Sequence, residues 1–179
     1  MRKANMVAVA GMLITFLLHG IFGSVRLLGG NSDTLKAVAY ISVAFVTLHI
    51  ILTCIMTCQT LIAWKKSGTG YFRQNKLFWA RRISGFAILI PLVMHIVIFS
   101  PSNQDVIRLS VFTTGRLISQ ILLVLTIALH VITNAKPALI TLGIRNLKKF
   151  TFDILFVLSV LMLFFAIAFF VYYLRWIAV

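Results

Sequence analysis

A helix needs about 20 predominantly apolar residues to cross a bilayer, and five stretches of that kind take up most of this chain. They run roughly Asn5–Val25, Ala37–Trp64, Ile83–Phe99, Ser110–Ala135 and Phe152–Trp176. In lipid every backbone N–H and C=O must find its partner inside the protein, so such stretches fold as helices. The expected fold is therefore all-α: an integral membrane bundle of five transmembrane helices, forming one transmembrane domain over residues 1–179. The hydrophobic fraction of 61% and mean hydropathy of +1.04 lie far above a soluble domain, in which about half the residues are apolar. The longest connections, Lys65–Phe78 and Lys136–Lys149, are each about 14 residues. A water-facing active site for a polar metabolite has nowhere to fold in them. Chemistry on a soluble substrate would have to live on another subunit.

The net charge of +14 invites a nucleic-acid reading, which the distribution of the cations rejects. They are sorted by loop. Arg2, Lys3, Lys65, Lys66, Arg73, Lys76, Arg81, Arg82, Lys136, Arg145, Lys148 and Lys149 fall on one side of the five spans. Only Arg26, Lys36, Arg108, Arg116 and Arg175 fall on the other. Lys and Arg accumulate in cytoplasmic loops, so the amino-terminus is expected in the cytoplasm and the carboxy-terminus outside. The expected location is the cytoplasmic membrane of a prokaryotic cell. Membrane lipid is the default partner of the basic connector around Ser67-Gly68-Thr69-Gly70-Tyr71. That connector lacks the strand and the Gly-Lys-Ser/Thr of a phosphate-binding loop.

The first apolar stretch reads as a retained helix rather than a signal peptide, because it is long and carries His19. Gly29-Gly30-Asn31-Ser32-Asp33 signals a turn. The second stretch, at about 28 residues, exceeds the ~30 Å hydrocarbon core and must tilt or overhang. Its Cys54 and Cys58 share a helix face and read as small packing side chains, since a disulfide at that spacing is poor geometry. Pro91 is expected to kink the third helix near residue 87. Arg116, Gln120 and His130 lie on the fourth helix, expected to end near Asn134, Lys136 and Pro137. The fifth is rich in Phe, carries Asp153 and ends in Tyr172, Tyr173 and Trp176. It has no histidine and is expected to pack outside any cofactor bundle.

The four histidines, His19, His49, His95 and His130, sit one each on the first four spans. Ionisable groups at bilayer depth are costly and functional by default. Neutral imidazole is a good iron ligand, and two axial imidazoles make a six-coordinate haem that moves electrons. Counted from the outer loops at 1.5 Å per residue, the depths are roughly 9 Å for His95, 15 Å for His19, 20 Å for His49 and 33 Å for His130. That ordering pairs His19 with His95 around an outer haem and His49 with His130 around an inner one, four helices surrounding two haems. A zinc or copper cage needs its ligands at one point, whereas these spread over more than half the membrane. The only acids are Asp33, Asp105 and Asp153, all near helix ends. That scarcity disfavours a proton pump or an acid-lined cation channel.

Five helices, a cytoplasmic amino-terminus, one histidine on each of the first four helices, the segment Arg81-Arg82-Ile83-Ser84-Gly85 followed by His95, and His130 followed by Asn134 resemble a known family. It is the dihaem cytochrome b membrane anchor of succinate dehydrogenases and quinol:fumarate reductases, and the likeness covers nearly the whole chain. The resemblance implies two haem b groups, with ligands paired between alternate helices. It also implies a flavoprotein subunit and an iron–sulfur subunit on the cytoplasmic face, and menaquinone or another quinone as electron partner. The chain itself would not act on the soluble substrate. Arg81, Arg82 and Ser84 are then candidates to meet a quinone carbonyl or a haem propionate, beside the plainer reading of membrane-edge anchors. Some dihaem members use a membrane glutamate for proton or quinol handling. This chain has no glutamate, so neither a quinone site nor a proton route carries over from that residue. Two alternatives stand beside this reading: the dihaem subunit of another quinone-linked oxidoreductase, of the formate dehydrogenase or hydrogenase type, and a haem-free transporter or scaffold. Dimerisation of complexes stays open.

Overall fold

The structure, a computed structural model, describes residues 2–31, 33–67, 76–99, 112–141, 143 and 147–177. Among these the fold is all-helical: α1 (Arg2–Leu27), α2 (Leu35–Ser67), α3 (Lys76–Phe99), α4 (Thr114–Thr141) and α5 (Leu147–Ile177). Each of the five is long and apolar enough to cross a membrane. Their outward surfaces carry large apolar side chains, such as Ile90, Val97, Phe152 and Phe156, as suits a multi-pass protein solvated by lipid. The connector residues 68–71, Arg73, the loop residues 100–105, Arg108, Ser110 and Arg145 lie outside the described residues.

The helices outrun their apolar stretches. α2 has 33 residues, which strengthens the expectation of tilt or overhang. α3 starts at Lys76, so residues 76–78, read as part of the connector, are helical, and Trp79, Arg81 and Arg82 stand on its first turns. α4 continues through Pro137 to Thr141, past the end that Asn134, Lys136 and Pro137 suggested. Proline disfavours a helix interior but does not forbid it where another donor reaches the freed carbonyl.

Local chemistry sets the ends. α1 closes with Gly30 N–H donating to the Val25 carbonyl (2.9 Å) and Gly29 N–H to that of Arg26 (3.1 Å). Gly29 has φ of 102°, the left-handed C-terminal cap that glycine adopts without a Cβ penalty. The Gly29-Gly30 part of the turn read at Gly29–Asp33 is thus a Schellman end, and Ser32 lies outside the described residues. The Thr113 hydroxyl accepts from the Arg116 N–H at the start of α4, a helix N-cap. Within the helices, Thr15, Ser42, Thr57, Thr60, Thr126 and Ser159 donate their hydroxyls to carbonyls three or four residues back. These groups are satisfied by their own helix.

The chain divides into two compact units, Met1–Lys76 and Leu77–Val179. In the first, α1 packs on α2. Ala8 is fully buried, and Gly11 lets the Phe45 ring lie against the α1 backbone. In the second, α4 packs on α5 around Leu123, Val124, Met162, Phe165 and Ala168. An aromatic cluster closes one end of this unit. Phe112 stacks on Phe169, with centroids 6.5 Å apart and planes 8° apart, and meets Tyr172 edge-on. The Thr114 and Tyr173 hydroxyls bond at 2.8 Å. Cys54 and Cys58 are free thiols, and Cys58 is exposed rather than packed away.

Candidate functional site

In the second unit His130 faces the start of α3. Its ring lies beside Gly85, where a Cβ would come within 3.2 Å of Cε1 and 3.6 Å of Nδ1. Ser84, only 3% exposed, places its Oγ 3.0 Å from His130 Nδ1. That hydroxyl donates to the Arg81 carbonyl at 3.1 Å. With its one hydrogen so used, Ser84 Oγ accepts from His130 Nδ1–H. The Asn134 amide nitrogen donates to the His130 carbonyl at 2.8 Å and lies 3.4 Å from Nδ1. Gly85→Ala should push the ring by a few tenths of an ångström at about 1 kcal/mol, offset by a helix-propensity gain of about 1 kcal/mol, whereas the bulkier Gly85→Val gains less and overlaps more. The check is the apparent melting temperature in detergent, near the parent for Gly85→Ala and lowered for Gly85→Val.

Arg81 resolves the problem that Pro137 creates. Proline has no N–H for the carbonyl of residue 133, and Arg81 Nε donates to that Thr133 carbonyl at 3.3 Å. Arg82 instead lies over the Phe78 ring, 5.0 Å from its centroid, at cation–π distance. The three sequence candidates Arg81, Arg82 and Ser84 therefore diverge. Ser84 and Arg81 engage α4 around His130, and Arg82 lies against Phe78.

Three turns further along α3, His95 Nδ1 lies 2.7 Å from Gln120 Oε1. Gln120 is fully buried. Its amide nitrogen donates to Ser119 Oγ at 3.0 Å, and Ser119 donates to the Arg116 carbonyl at 2.8 Å. This chain orients the amide with its oxygen toward the histidine. Phe99 sits with its ring centroid 5.0 Å from that of His95, and Phe169 of α5 approaches edge-on at 6.4 Å. So α5, which carries no histidine, reaches one through an aromatic edge.

In the first unit His49 Nδ1 lies 3.1 Å from Asn5 Oδ1 on α1, and His19 is half-buried on α1. Measured from the helix ends beside residues 28–34 and 100–113, His95 is ~6 Å deep, His19 ~12 Å, His49 ~21 Å and His130 ~24 Å. Counting His130 from Arg108 overstates its depth, because α4 begins only at Thr114.

No protein-family model, curated protein or solved structure matches the chain. The side chains themselves must carry the reading. Among the described residues no three His, Cys, Asp or Glu side chains gather in one cluster. A haem asks less than a bare ion, since the porphyrin supplies four nitrogens and the protein two axial ligands. The donor set fits that demand: intramembrane imidazoles, three of them held at Nδ1 by a neutral polar group. Sequence reasoning noted Gln120 without giving it a role, and it missed Asn5 and Thr133. A polar side chain deep in an apolar span is the signal that could have drawn attention to Gln120.

Proposed function

We propose that the chain is the membrane-anchor cytochrome b of a complex of the succinate dehydrogenase or quinol:fumarate reductase type. One observation carries the reading: each of α1 to α4 holds one histidine within its apolar span. In this reading, as the count of residues along the sequence suggests, His19 and His95 would hold an outer haem and His49 and His130 an inner one. When bound, each haem would supply a reversible one-electron change, with the histidines as its protein ligands. The histidines hold their rings at fixed depth. The apolar helices around them exclude water.

In this reading the amino-terminus is cytoplasmic, and a flavoprotein with an iron–sulfur subunit docks on the basic face. Arg82 on the first turns of α3 is suited to a quinone carbonyl or a propionate, with Arg81 beside it. Electrons pass between that partner and a membrane quinone, menaquinone or another, in the cytoplasmic membrane of a prokaryote.

The test is a reduced-minus-oxidised visible spectrum of the purified chain, with haem quantified per polypeptide. Sharp low-spin b-type bands at a stoichiometry of about two are expected from two bis-imidazole sites. Haem-free folded protein would overturn the proposal. The metal content of the co-purified partner then separates flavin-based chemistry from the molybdenum or nickel of formate dehydrogenase or hydrogenase types.

A further inference from the structure

Three of the four histidines share a feature that an interhelical hydrogen bond alone does not demand. Each has a neutral oxygen of another helix of the same unit within hydrogen-bond distance of Nδ1: Asn5 for His49, Ser84 for His130, Gln120 for His95. At His130 the Asn134 amide nitrogen of the same helix also lies 3.4 Å from Nδ1, but its shorter bond goes to the His130 carbonyl at 2.8 Å. A neutral imidazole has one N–H and one lone pair, and its partner decides which nitrogen carries which. An accepting oxygen at Nδ1 places the hydrogen there and the lone pair on Nε2. We infer that Gln120, Ser84 and Asn5 are positioning residues that fix these histidines in the Nε2-ligating tautomer and set the electron donation of each imidazole to its iron. The inference rests on the dihaem reading.

The hydroxyl and amide orientations support it from a second direction. Ser84 spends its hydrogen on the Arg81 carbonyl, and Gln120 spends an amide hydrogen on Ser119. Each presents an acceptor to the ring. Gln120 is the stronger case, because a fully buried carboxamide is costly unless its polar atoms are used. Ser84 also gains a definite place, with its hydroxyl against the ring of His130.

An accepting partner makes an imidazole more basic and favours the oxidised iron. Removing the partner should raise the reduction potential of that haem and leave the other unchanged. The experiment is a redox titration, with low-temperature paramagnetic resonance spectra, of the purified full chain and of Gln120→Met, Ser84→Ala and Ser84→Thr. Gln120→Met should shift one haem upward, Ser84→Ala should shift the other, and Ser84→Thr should sit near the parent. Unchanged potentials with both haems present would overturn the inference while leaving the dihaem reading intact. So would equal shifts of both haems in each variant. Absence of haem from the parent chain would instead sink the dihaem reading itself. If Gln120→Met fails to assemble, the Ser84 pair reads the same question at the inner haem.

Discussion

His130→Ala should leave the chain with half the haem of its parent. A b-type haem is held without covalent attachment, so two axial bonds and the surrounding side chains are all that retain it. On the proposed dihaem reading, removing His130 deletes one axial bond and empties the seat between Gly85 and Ser84. It also takes from the buried Ser84 hydroxyl its imidazole donor, while the bond from that hydroxyl to the Arg81 carbonyl remains. The other haem keeps both of its ligands on other helices and should keep its spectrum. Haem extracted and quantified per polypeptide, beside a reduced-minus-oxidised spectrum, measures this directly. His95→Ala should remove the other half, and added imidazole should partly restore either loss. Retention of the full haem complement in both variants would detach the histidines from the cofactor.

Gly11→Leu should destabilise the first unit by about 3 kcal/mol, the upper end of the usual overpacking cost. The Phe45 ring lies so close to Gly11 that even a methyl would overlap Cε1, Cζ and Cδ1 together. A small residue at a transmembrane contact allows close backbone approach, which gives the dispersion contacts that replace the missing hydrophobic drive. Leucine forces α1 off α2 and also stretches the Asn5 contact to His49 on the same pair of helices. Thermal unfolding in detergent should show a lowered midpoint, and Phe45→Ala in the same chain should recover part of it. A double variant no better than Gly11→Leu alone would place the strain elsewhere.

The spans and the four histidines were legible because both are written in one dimension. Apolar length and an ionisable residue inside it need no knowledge of neighbours. The α1 turn at Gly29 was legible for the same reason, since the glycines that make it are adjacent. The helix starts were less so: α3 begins at Lys76 and α4 at Thr114. Hydropathy marks where lipid is tolerated, whereas caps and backbone bonds mark where a helix begins. The contacts of Asn5, Ser84 and Gln120 were not legible at all. They depend on how one helix is rotated against the next, and no spacing along the chain encodes that. Arg81 is a sharper instance. Its charge suggested a ligand, but the structure gives its Nε to the carbonyl that Pro137 leaves without a donor. That link needs two helices side by side before it can be seen.

Ser84 and His95 lie about three turns apart on α3, nearly in line along one side of it. Both are fastened to α4, one through His130 and the other through Gln120. A rod fixed at two levels has lost its freedom to spin or to slide, because either motion breaks both fastenings together. Pro91 lies between the two fastenings and takes one backbone bond out of the shaft, so the ties to α4 on either side of it hold α3 in register across the point where its own ladder is interrupted.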